Sequence, residues 1–335
     1  MQELVGRLTA LDPEASETLK VVAYFDVLVA GGVGLQALLR GAAVLSGAVA
    51  GAFDGRRTYR IGPDGGRLAD RTTSDGTAAQ QQWPTRTINN GRVWLEREGT
   101  PHANDEMVIE RLALAVDLVG ARGPGRHGSA LEIAVDAARD VAERRIALSR
   151  LRLDPARETR IAALPLSHDP GTALPTAAST VVATPYGLVR AVILGRDATI
   201  SGPAGVGVAR RGDQLPESFR TALLALRLLP ANDAVVDAAE LGVVLAAVSA
   251  LEPVAALEPD VAALARLDAR ARAVLDELAA AESVRAAATA LGMHHSTLQA
   301  RHDTLTSELG YDPRTLDGRA RYRLARLLLR LVENH

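Results

Sequence analysis

The stretch Glu282–Gly310, ESVRAAATALGMHHSTLQARHDTLTSELG, has a serine at its second position followed by a run rich in small residues, and closes on a glycine. Ser283 is placed to cap a short helix, VRAAATAL, in which Val284, Ala287, Ala288 and Leu291 share one face. Gly292 follows as the residue past the helix end, where a left-handed conformation costs little without a Cβ. After Met293-His294-His295, Ser296 is placed to cap a second helix ending at Leu309. On it Leu298, His302, Leu305 and Leu309 form one stripe, Ser296, Thr297, Gln299, Ala300 and Asp303 point away, and Arg301 lies at the edge. This is the helix-turn-helix pattern. Small residues in the first helix let the two pack closely. Hydrogen-bonding side chains crowd the start of the second because that end enters the major groove.

The flank agrees in charge. Ser283–Arg330 holds eight arginines and four acids in a chain of net charge −2, so this segment is basic and the remainder acidic. Arg319, Arg323, Arg326 and Arg330 recur on one face of a last helix, opposite Leu324, Leu327, Leu328 and Leu331. Such a stripe either tracks phosphates or forms a solvated face.

Composition narrows the rest. The chain has 335 residues, 47% hydrophobic and 23% charged, which marks a folded protein of two or three domains. Aromatics at 3% are too few for a base-stacking single-strand binder. The lack of cysteine excludes disulfides, thiolate zinc sites and Cys nucleophiles. His294 and His295 are adjacent and diverge on a helix, and His102 near Asp105 and Glu106 lacks a second nitrogen ligand, so no metal and no cofactor are expected. Gly202–Gly212, GPAGVGVARRG, lacks the Gly-Lys-Ser/Thr ending of a phosphate loop and reads as a structural turn. No GxSxG motif occurs, and the chain is not expected to be an enzyme. The start, MQELVGRLTALDPEAS, has no signal-peptide pattern, and the longest apolar run, Leu241–Leu251, is too short to span a bilayer, so a cytoplasmic protein is expected.

Upstream the texture is α+β. Asp12-Pro13-Glu14 starts a helix that stops at Gly31-Gly32, a second helix covers Leu35–Leu45, short strands follow from Ala48, and a helix over Asn104–Leu118 closes the unit. Gly120–Ser129 reads as a linker. Beyond it come a helix over Leu131–Arg150, strands over Arg160–Leu166, Thr180–Pro185 and Leu188–Leu194 with a turn at Tyr186-Gly187, and a helix over Ser218–Leu229. From Asp233 onward the chain reads as helical. The expected fold is therefore two small α+β domains, residues 1–120 and 130–235, followed by an all-α domain over 236–335.

Glu282–Gly310 resembles the C-terminal helix-turn-helix of PucR/CdaR-type bacterial transcription regulators, matching at Gly292, His294, Thr297, Leu298, Leu305 and Leu309. That family usually has Arg-Asn before the Thr and basic or aromatic residues after the Leu; here His295-Ser296 and Gln299-Ala300 stand there. Ala130–Leu166 is similar to the opening of the family's degenerate GGDEF-like middle domain, with no Gly-Gly-Asp/Glu-Glu-Phe run to hold a metal. The first domain resembles a short GAF-type sensor on element order and on GRVWLERE before a helix. The resemblance implies a one-component regulator of double-stranded DNA that responds to a small-molecule effector.

The candidate DNA contacts are Ser296, Thr297, Gln299, Ala300 and Arg301, with Arg319, Arg323 and Arg326 as phosphate clamps. Tyr59, Trp83 and Trp94 either line a ligand pocket in the first domain or form its core, and the scarcity of aromatics favours core. Val21, Val22, Phe25, Leu28 and Val29 cover a wide arc of the first helix, read as half core and half interface, so a homodimer or higher oligomer is expected. Two other functions compete: a sensor whose C-terminal helices bind a protein, and an enzyme of nucleotide signalling, whose carboxylate motif is missing.

Overall fold

The computed structural model describes residues 13–31, 33–55, 57–69, 83–97, 99–100, 102, 104–121, 127–168, 179–195, 198–230 and 235–334. The fold is α+β with a helical C-terminal part, as the sequence predicts. Among the described residues no helix is long and apolar enough to cross a membrane. Asp12, most of the Gly120–Ser129 linker and Asp233 lie outside them or have undescribed side chains.

The first unit runs α1 (Pro13–Ala30), α2 (Leu35–Ser46), β1 (Val49–Phe53), β2 (Thr58–Ile61), β3 (Thr85–Ile88), β4 (Gly91–Glu96) and α3 (Asp105–Ala121). Its antiparallel sheet has the order β2-β1-β4-β3. Ala50, Ala52, Val93 and Leu95 project to one side and are buried with Leu38, Leu39, Ile109 and Leu112 of α2 and α3. On α1, Val21, Phe25 and Leu28 are buried in the chain's own core, while Val22 and Val29 are half-buried. Leu19 and Val27 of α1 and Leu114 and Leu118 of α3 stay exposed.

The second unit holds α4 (His127–Val135), α5 (Val141–Arg150), β5 (Glu158–Pro165), β6 (Ser179–Thr184), β7 (Gly187–Leu194), β8 (Ala204–Val206), β9 (Arg210–Arg211), α6 (Leu215–Arg227) and β10 (Val235–Asp237). The single helix expected over Leu131–Arg150 is two. Asp136 leaves the helix to accept the Ala138 N–H at 2.9 Å and pair with Arg40 of α2 at 3.0 Å. Asp140 then caps α5 through the Ala142 N–H at 2.7 Å. The β6–β7 turn is Pro185-Tyr186, with Gly187 (φ 100°) already paired to Thr184.

The sheet order is β10-β8-β5-β7-β6, with β9 on the start of β5. Two local expectations change here. Gly202–Gly212 is not a plain turn: it contains β8 and β9. Gly205 and Gly207 are needed because α6 lies directly on this segment. A Cβ at Gly205 would fall 2.2 Å from the Ala222 carbonyl oxygen, and one at Gly207 would fall 1.9 Å from that of Ser218. Nor is the segment after Asp233 wholly helical. β10 runs parallel to β8 and is held by an Arg160–Asp237 ion pair.

The helical part comprises α7 (Val243–Leu251), a 3-10 turn (Glu252–Leu257), α8 (Pro259–Arg266), α9 (Ala269–Ala280), α10 (Val284–Ala290), α11 (His295–Leu309) and α12 (Leu316–Glu333). Its core includes Leu264, Leu275, Leu278, Leu298, Leu305, Tyr322 and Leu329, and Leu224 and Leu228 of the second unit join it. Arg227, at the end of α6, fastens the two together. It pairs with Glu252, donates to the Leu331 carbonyl at 2.7 Å, and lies 3.6 Å from the centre of the Tyr186 ring. It thereby caps the C-terminal carbonyls of α12, where a cation is favoured.

Candidate nucleic-acid interface

α10 begins as the sequence predicts, with Ser283 Oγ accepting the Ala286 N–H at 3.0 Å. It ends in a Schellman turn: the Met293 N–H reaches the Ala288 carbonyl at 2.8 Å and the Gly292 N–H that of Thr289 at 3.1 Å. Gly292 has φ 62°, the left-handed conformation this turn needs. Ala287 and Ala288 are buried against α11, so small side chains do set the close approach.

α11 starts two residues earlier than expected, because His294 rather than Ser296 is its cap. The His294 Nδ1 lies 2.7 Å from Ser296 Oγ and 3.4 Å from Ser296 N. The buried stripe is Leu298, His302, Leu305 and Leu309, as read from the spacing. His302 Nε2 meets Asp312 Oδ1 at 2.9 Å, which ties α11 to the segment leading into α12. Burial alone would raise the Asp312 carboxyl, but the Arg314 N–H and His302 hold it below the usual carboxylate range.

Ser296, Thr297, Gln299 and Ala300 are exposed on the opposite side, together with Asp303 and Thr304, and Arg301 is half-buried. Gln299 Nε2 donates to Asp303 Oδ1 at 3.0 Å, so its amide is held along the helix axis. Shallow depressions flank this face. One is lined by Ser296, Thr297, Ala300, Arg301 and Thr304, and the other brings Arg285 of α10 beside Gln299 and Asp303. Arg285 was not among the residues singled out from sequence. Its signal was available, since it stands on the face of α10 opposite the buried alanines.

The arginine stripe divides. Arg319 donates to the Ala281 carbonyl at 2.9 Å, and Arg326 reaches both oxygens of Asp276 at 3.3 Å. Arg330 reaches back to the Leu228 carbonyl of the second unit at 3.3 Å. Of the three expected clamps, Arg319 and Arg326 thus have partners inside the protein, while Arg323 is exposed.

The three aromatics do not converge on one pocket. Tyr59 pairs with Ala52 on the core side of the first sheet and donates to Asp54 at 3.1 Å. Trp94 projects from the other face and lies flat on Gly51, where a Cβ would be 2.1 Å from the indole, and it donates to Glu96 at 3.2 Å. Trp83 is half-buried ahead of β3, and among the described residues its Nε1 has no partner. Among the described residues no group of three His, Cys, Asp or Glu side chains could hold a metal ion.

No family model and no curated protein matches the chain. Among solved structures it is similar to the crystal structure of a regulator of polyketide synthase expression from Bifidobacterium adolescentis, at 14% identity and a TM-score of 0.28 over 62% of this chain and 93% of that one, a likeness too slight to carry an argument.

Proposed function

We propose that the protein is a one-component transcription regulator that reads duplex DNA with α11 and responds to a small molecule through its α+β units. The observation that carries this reading is the α10–α11 pair: buried alanines, a complete Schellman turn, and a second helix whose exposed N-terminal half carries only small and hydrogen-bonding side chains. That end of a helix fits the major groove, where a Gln amide can pair with adenine and a guanidinium with guanine or phosphate. The resemblance to PucR/CdaR-type regulators points the same way, and no catalytic role is assigned.

Asp303 and Glu308 on α11 oppose a phosphate backbone, so one copy binds weakly and a homodimer on two half-sites supplies affinity through effective concentration. Arg285 and Arg323 are the exposed cations nearest this role, with Arg301 at the edge of the reading face. The test is a binding titration of the full chain against fragments of its own genome at several salt concentrations. Retention of a subset of fragments that weakens as salt rises supports the reading. Absence of any salt-sensitive, sequence-dependent retention refutes it.

A further inference from the structure

We propose that the cleft between the second unit and α12 is the effector site, and that its ligand is a monocarboxylate with an apolar body. This rests on the reading of the chain as a regulator. The cleft has a volume of about 560 Å³, within the ~300–1,000 Å³ of small-molecule sites. One wall is apolar, formed by Leu188 of β7 with Leu223 and Leu226 of α6. The other is α12, which presents Arg326 and Arg330 one helical turn apart.

The charges around the cleft are nearly all matched within the protein. Arg227 has Glu252, Arg326 has Asp276, and Glu333 has Arg272. Arg330 is the exception. Its hydrogen bond goes to a carbonyl, and among the described residues no carboxylate pairs with it. It is half-buried, and burial together with the like charge of Arg326 holds its guanidinium below the usual arginine range. A single negative charge in the cleft relieves that repulsion, and a carboxylate matches the guanidinium fork in shape. The apolar wall then selects for the rest of the molecule. One surplus cation beside Glu333 favours a monoanion over a phosphate or a dicarboxylate.

The location gives the ligand its leverage. α12 belongs to the helical part that carries the reading helix, and the opposite wall belongs to the sheet unit. A molecule touching both walls binds only when they are apposed, so it shifts the population toward that arrangement.

The experiment titrates the full chain, without DNA, by calorimetry and thermal shift. The probes are phenylacetate, 4-phenylbutyrate and hexanoate, each against its neutral amide, and inorganic phosphate. Saturable binding of at least one acid is expected, with its amide weaker by about tenfold or more. Arg330→Gln should lose the same factor, and Arg330→Lys, which keeps the charge and loses the fork, should fall between Gln and the parent. Leu226→Trp, which fills the cleft and leaves α12 intact, should abolish binding. The proposal is overturned if no acid binds, if the amides or phosphate bind as well as the acids, or if Leu226→Trp binds like the parent. Carboxylate binding by a chain that retains no DNA would sink the regulator reading and leave the site standing. DNA binding without any carboxylate binding would do the reverse.

Discussion

Replacing Glu132 by Gln should stabilise the protein above neutral pH and leave it unchanged in mild acid. Glu132 stands on α4, 4% exposed, and its Oε2 accepts the Gly34 N–H of the first unit at 3.0 Å. Burial pushes its carboxyl from 4.5 up to about 7, against the opposing pull of that N–H, Arg40 and Arg139. Through that interval the folded chain binds more protons than the unfolded one. Stability therefore falls as pH rises from 4.5, and the loss is complete above about 7. At about 1.4 kcal/mol per pH unit, the interval corresponds to roughly 3 kcal/mol. Gln keeps the carbonyl acceptor for Gly34 and cannot ionise. The variant should match the parent near pH 4.5–5 and exceed it by up to roughly 3 kcal/mol at pH 8. Urea unfolding followed by tryptophan fluorescence reads this directly, because Trp83 and Trp94, the only tryptophans, lie in the unit that Glu132 holds. An equal difference between variant and parent at pH 5 and pH 8 would refute the reasoning.

Arg323→Ala should lower the slope of log affinity against log salt by about one for every DNA sequence, whereas Arg326→Ala, already paired with Asp276, should leave it unchanged; filter binding at several salt concentrations separates them. Gln299→Ala should cost about 1–3 kcal/mol at a preferred site and relax base preference there, measured by competition with single-base variants. Gly207→Ala should destabilise the second unit by about 1–3 kcal/mol, seen as a lower urea midpoint, because the new methyl meets the Ser218 carbonyl. Ser283→Ala should remove the α10 cap at a cost of about 1 kcal/mol, read as a lower melting temperature.

What could be read from sequence was local. The Ser283 cap, the Gly292 turn and the stripe of Leu298, His302, Leu305 and Leu309 depend on neighbours within a few residues, and helical spacing reveals them. What could not be read depends on distant partners. The break between α4 and α5 exists because Asp136 faces Arg40, far back in the chain. The strand β8 looked like a turn because Gly205 within it and Gly207 just after it answer to the backbone of α6, which no local pattern shows. The arginine stripe looked uniform until Asp276 and the Ala281 and Leu228 carbonyls claimed three of its members. His294 displaced Ser296 as cap through a ring nitrogen, an acceptor that the usual Ser, Thr, Asp and Asn preference overlooks.

The direct seat of α6 on the second sheet has a mechanical consequence. Side chains between two elements act as a soft bearing, since rotamers can change while the backbones slide. At Gly205 and Gly207 no such bearing exists, because the α6 backbone touches the strand itself. Sheet and helix must therefore travel as one stiff body. At the far end of that body, Arg227 grips the last turn of α12 through the Leu331 carbonyl. Whatever moves the strands therefore also moves the whole of α6, about 20 Å for thirteen residues, and with it the end of α12 that Arg227 holds.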